Sequence, residues 1–84
     1  MQNPSSAYTE VRVAYGQRVD VEIRNNTYGF KMDYYHQSFF TIYSGDSNKE
    51  LYFEEEGEIF QAYGIEVILK EAKYDYLILL VKSI

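Results

Sequence analysis

The chain reads as an all-β domain, and three observations carry that reading. Apolar residues alternate with polar ones at a period of two, as in Val11, Val13, Tyr15 and again in Val19, Val21, Ile23, the pattern of half-buried strands. Turn-forming clusters recur about every 8 to 12 residues, as expected of sandwiches and barrels. β-branched and aromatic residues are dense, and no capping residue opens a sustained 3.6-residue repeat. No connection is long enough for a parallel crossover, so an all-parallel sheet is excluded. The expected architecture is a small single-domain antiparallel β-sandwich or partly open β-barrel of seven or eight short strands.

Residues 1–7 carry Pro4, two Ser and no periodicity, so they are expected to form a disordered lead to a domain spanning residues 8–84. Val11 to Ile23 reads as one hairpin with a wet face, turning at Gly16-Gln17. Asn25-Asn26-Thr27 with Gly29 is expected to turn the chain into two aromatic strands, Phe30 to Tyr35 and Ser38 to Ser44, broken at His36-Gln37. After the turn at Gly45-Asp46-Ser47-Asn48, a short strand from Glu50 to Phe53 leads into Glu54-Glu55-Glu56-Gly57-Glu58. Asn48 to Glu56 is the one stretch whose residues permit a helical turn, and Asp46 to Glu58 is expected to be the main irregular excursion. Ile59 to Ala62 and Ile65 to Ala72 flank Tyr63-Gly64 as a further hairpin. Lys73 to Asp75 turns the chain into the last strand, Tyr76 to Lys82, which is apolar at every position but the last. That run is expected of a strand covered on both faces. Ala-Tyr-Gly occurs at 14–16 and at 62–64, and reuse of the same turn residues by small hairpins explains this better than a duplication.

With 84 residues, 46% of them hydrophobic and none of them Cys, the chain must hold its fold through an apolar core alone or share that task with a partner subunit. Disulfide staples, thiol catalysis and thiolate zinc sites are absent together. A net charge of −5 argues against direct binding of nucleic acid, which rewards Lys and Arg. The longest apolar run, Tyr76 to Val81, falls far short of the roughly 20 residues that span a bilayer. MQNPSSAYTE has neither the basic nor the apolar region of a signal peptide, so a cytoplasmic chain with no membrane contact is the expectation.

Catalysis finds little to work with. A nucleophile needs an adjacent base, and the chain supplies His36 alone, in Asp33-Tyr34-Tyr35-His36, where a solvated or hydrogen-bonded turn residue is the ordinary outcome. Asp46, Glu50, Glu54, Glu55, Glu56 and Glu58 against the single Lys49 give the segment 46–58 the whole net charge of −5, leaving zero for the rest. Consecutive Glu residues beside a Gly are expected to be exposed and splayed, unlike a pair held across a cleft for acid–base work. Asp46, Asn48 and Glu50 imitate the start of a calcium loop, but its required Gly and bidentate Glu are replaced by Leu51 and Gly57. No enzyme activity, metal or cofactor is expected.

Aromatic density is more informative. Tyr28, Phe30, Tyr34, Tyr35, Phe39, Phe40 and Tyr43 fall within sixteen residues. If Phe30, Met32, Tyr34, Phe40 and Ile42 share the inner face, alternation sends Tyr35, Phe39 and Tyr43 outward; a sandwich covering both faces would make all seven core. The outward arrangement gives the leading function: a non-catalytic module binding a protein partner through Tyr35, Phe39 and Tyr43, with Tyr28 and His36 beside them. The acidic segment then sets orientation and encounter rate. One alternative is an acidic mimic of nucleic acid that occupies the basic groove of a DNA- or RNA-handling enzyme. Another is a small ligand- or carbohydrate-binding domain around His36 and Asp33. The apolar C-terminal strand, Tyr76 to Val81, must lie inside the sheet or pair across a two-fold axis, and a homodimer through it is the further expectation.

Overall fold

Alternation sorts the residues into two layers, and in the computed structural model, which describes residues 8–32 and 38–84, those layers are two four-stranded antiparallel sheets forming a sandwich. The strands are β1 (Thr9–Ala14), β2 (Arg18–Ile23), β3 (Asn26–Met32), β4 (Phe39–Ser44), β5 (Ser47–Tyr52), β6 (Ile59–Ala62), β7 (Ile65–Ala72) and β8 (Tyr76–Ser83). One sheet has the order β1-β8-β7-β6 and the other β2-β3-β4-β5. The chain therefore opens in the first sheet, meanders through all of the second, and returns to close β8 against β1. Among the described residues there is no helix, and so none able to cross a membrane. The expected lead at residues 1–7 and the break at His36-Gln37 lie outside the described residues.

Val11 to Ile23 is not a hairpin. β1 pairs with β8, Val11 against Leu79 and Val13 against Leu77, whereas β2 pairs with β3. The intervening Tyr15-Gly16-Gln17 ties the two sheets together. Tyr15 N–H donates to the Asp75 carbonyl at 2.9 Å, and Gly16 N–H donates to the Met32 carbonyl at 3.1 Å. The second Ala-Tyr-Gly does make a hairpin: Tyr63 and Gly64, at φ 54 and 78, form the two-residue loop between paired Ala62 and Ile65. A period of two fixes which side chains turn inward but says nothing about which strand lies alongside, and the first copy misled on that account.

The β2–β3 loop also differs from expectation. Arg24 and Asn25 take the positive φ values, 50 and 67, so Asn26, Thr27 and Gly29 belong to β3. Asn48 begins no helical turn either. Gly45, at φ 59, starts a tight hairpin, and β5 then runs beside β4 with Leu51 opposite Phe40. Burial of Leu51 against the core outweighs the small helix preference of Lys, Glu and Leu.

The core lies between the sheets. Val11, Val13, Ile65, Val67, Leu69, Leu77, Leu79 and Val81 face Tyr28, Phe30, Met32, Phe40, Ile42 and Leu51. Phe40 meets Phe60 of the opposite sheet edge-on, with ring centroids 5.6 Å apart, and tilts against Phe53 at 6.2 Å.

β8 is central, but no second layer covers its outer face. Leu77, Leu79 and Val81 are fully buried, while Tyr76, Ile78 and Leu80 are half-buried. The outer row is roofed by side chains that reach over β8 from its neighbours. Lys70 Nζ donates to Glu10 at 3.0 Å, and the Tyr8 hydroxyl donates to Glu66 at 2.8 Å. Arg12 stacks 4.4 Å from the Tyr76 ring centroid, and the Tyr76 hydroxyl donates to Glu71 at 2.9 Å. Long polar side chains use their aliphatic stems in this way to shield apolar neighbours. Because β1 and β7 occupy both edges of β8, no second chain can pair edge-to-edge with it.

Candidate protein-binding face

The outer face of the β2–β5 sheet brings together the sequence-predicted aromatic residues that remain accessible. β4 sends Phe40 and Ile42 inward, so Phe39, Thr41 and Tyr43 face out. Antiparallel register sets Phe39 opposite Tyr52, Thr41 between Lys31 and Glu50, and Tyr43 between Gly29 and Asn48. Thr41, at the centre, is only 4% exposed.

At one end of β4 the Phe39 and Tyr52 rings pack with centroids 5.1 Å apart and planes 34° to each other. Tyr52 is 52% exposed, and its hydroxyl donates to Glu50 at 3.1 Å. That hydrogen bond, followed by burial and the Glu50 charge, holds the Tyr52 phenol above its ordinary pKa. Toward the other end, the Arg18 guanidinium sits 4.4 Å from the Tyr43 ring centroid and is bridged to Asp20 at 3.0 Å. Gly29 makes this crossing possible: a Cβ there would lie 2.5 Å from Arg18 Nε. Tyr52 was not among the expected anchors. The signal lay in the β4–β5 register, since Leu51 turned inward forces Tyr52 outward.

Tyr28 does not join this face. It is 5% exposed, and its hydroxyl donates to the Tyr63 carbonyl at 3.2 Å across the sandwich. As an inward residue of β3 it belongs to the core beside Phe30. Tyr35 and His36 lie outside the described residues.

The acidic segment is half ordered strand. Asp46 is in the β4–β5 turn, Glu50 points out from β5, and Glu54 to Glu58 form the link to β6. The six residues of β5 put roughly 20 Å between the turn and the link. That link is folded back rather than splayed. The Glu58 carboxylate accepts the backbone N–H groups of Glu54 and Glu55 at 2.6 and 2.9 Å, which holds its pKa below the usual carboxylate range. Glu56 accepts the Ala72 N–H at 2.9 Å, and Gly57 N–H donates to the Leu69 carbonyl at 2.7 Å. Glu54 and Glu55 are exposed, two and three residues after Tyr52 in the chain.

Among the described residues no three His, Asp or Glu side chains converge to hold a metal ion. An open depression lined by Arg18, Asn25, Asn26, Thr27, Ser44 and Gly45 lies by the β2–β3 turn. Its walls are mostly polar, and it opens widely to solvent. Compared with models of known families, with curated proteins and with solved structures, the chain matches none.

Proposed function

We propose that the protein is a non-catalytic interaction module that binds a protein partner through the outer face of the β2–β5 sheet. The Phe39–Tyr52 pair carries this reading: an aromatic pair packed at the surface, with Tyr52 half exposed. Aromatic rings supply large contact area for few torsions, and here those torsions are already restrained by ring packing and by the bond to Glu50. Tyr43, held beneath Arg18, is the secondary anchor. The exposed Glu54 and Glu55, which follow Tyr52 by two and three residues, favour encounter with a basic partner and make association faster at low salt.

The test is capture of binding proteins on three immobilised forms: wild type, Phe39→Ala/Tyr52→Ala, and Ile68→Ser on the outer face of the other sheet. A partner retained by wild type and by Ile68→Ser, but lost from the aromatic double variant, is the expected result. Equal recovery on all three forms would remove this face from the account.

A further inference from the structure

β7 outruns the strand beside it, and the acidic link makes up the difference. β6 has four residues and pairs with Ile65 to Ile68, whereas β7 has eight and ends at Ala72. Leu69 to Ala72 therefore extend beyond β6. At that overhang the Lys73 N–H donates to the Tyr76 carbonyl at 2.8 Å, on the β8 side. Because successive strand N–H groups point to opposite edges, the Ala72 N–H points away from β8, to the edge that β6 does not reach.

The link fills that edge in two steps. Next to β6 the backbone does it: Leu69 N–H donates to the Glu58 carbonyl at 2.9 Å, and Gly57 N–H to the Leu69 carbonyl at 2.7 Å. Past Gly57, whose φ of 95 turns the chain, a side chain takes over, and the Glu56 carboxylate accepts the Ala72 N–H at 2.9 Å. The Glu58 carboxylate meanwhile accepts the N–H groups of Glu54 and Glu55, folding the link into the turn from which Glu56 reaches β7.

What holds this segment differs from what holds the sandwich. Glu54, Glu55, Glu56 and Gly57 are exposed, so lifting them uncovers little apolar surface. Both flanks are anchored: Phe53 N–H donates to the Ser38 carbonyl at 3.0 Å, and Phe53 and Phe60 both pack against Phe40. The closures are charge-assisted hydrogen bonds, opposed by the mutual repulsion of neighbouring carboxylates.

We infer that Glu54 to Glu58 form a strap that opens and shuts as one unit over the end of β7, with Glu58 and Glu56 as its two latches. Shut, it occupies the strand-pairing edge of Leu69 to Ala72. Open, it frees that edge while both sheets stay intact. The latches are coupled, because Glu58 sets the turn that presents Glu56 to Ala72.

Amide hydrogen exchange of the full chain, followed residue by residue by NMR, tests this. The Glu54, Glu55, Gly57 and Ala72 amides are expected to share one opening that low urea leaves unaltered, while the Leu79 amide, in the central strand, exchanges only with global unfolding. Glu58→Ala removes the acceptor of Glu54 and Glu55 and leaves the Glu56 acceptor of Ala72 in place. It should nevertheless speed exchange at Ala72 by about tenfold, as at Glu54 and Glu55. Glu56→Ala should act in reverse, speeding Glu54 and Glu55 along with Ala72. Acceleration confined in each variant to the amides that lost their own acceptor would mean separate bonds and overturns the inference. Exchange at Ala72 that follows Leu79 through the urea series also overturns it, since the edge would then open only with the whole fold.

Discussion

The guanidinium of Arg18 lies over the ring of Tyr43 although a whole strand separates them, because the residue between them in the sheet is Gly29. The φ of Gly29 is not positive, so its lack of a side chain, and not its backbone freedom, is what the site uses. Gly inside a strand ordinarily costs about 0.5–1 kcal/mol relative to Ala. A stacked cation at an exposed site returns about as much. Gly29→Ala should thus leave stability within about 1 kcal/mol of wild type, since the gained strand preference offsets the lost stack. In an Arg18→Ala background the same substitution should stabilise by about 0.5–1 kcal/mol. Urea midpoints of the four-member cycle measure the difference, and strict additivity would show that Gly29 has no part in the Arg18–Tyr43 contact.

The sequence made most strands and their inward faces legible, because the buried apolar residues of β1, β7 and β8 sit at a period of two; Leu51 of β5 stands alone. Partner choice was hidden. Val11 and Val13 alternate equally well whether β1 pairs with β2 or with β8, and only closure of the whole sandwich selects β8. Tyr28, expected at the partner-binding face, is an inward residue of β3 and lies in the core. The candidate face was legible in Phe39 and Tyr43. Tyr52 and the Arg18–Gly29–Tyr43 crossing depend on registers that span three strands, and no local pattern encodes those.

Tyr28 bonds across the sandwich to the Tyr63 carbonyl at the β6–β7 turn. Tyr28→Phe keeps the buried ring and loses that bond, so unfolding free energy should fall by about 0.5–1.5 kcal/mol. Equilibrium urea unfolding measures this directly. A change below a few tenths would mean that the hydroxyl finds water instead.

Neighbouring residues of β8 should differ sharply in their response to truncation. Leu79 is fully buried between the sheets, whereas Leu80 lies half-covered beneath the Glu10–Lys70 bridge. Leu79→Ala should cost about 2–5 kcal/mol, and Leu80→Ala less than about 1.5 kcal/mol because only part of that side chain leaves water. Similar losses for the two in a monomeric sample would contradict the inward and outward assignment.

Glu58 ties down its own loop by accepting the Glu54 and Glu55 amides, and its carboxyl pKa is lowered by those bonds. A carboxyl with a folded pKa below its unfolded one contributes stability above the unfolded value and loses it as pH falls through the folded value. Glu58→Gln should therefore be less stable than wild type at neutral pH, with the gap closing as the solution is acidified through that lowered pKa. Paired denaturation curves across the acid range measure the gap. A gap that stays constant with pH would assign the difference to packing instead of to the charge.

The most direct test of the aromatic face is backbone hydrogen exchange of the intact chain, alone and bound to the partner that wild type captures. Binding should slow exchange in β4 and β5 around Phe39, Tyr43 and Tyr52, and leave β7 and β8 unchanged. Slowing confined to β7 and β8, with β4 and β5 unaffected, would contradict the assignment of the β2–β5 outer face as the surface through which this protein acts.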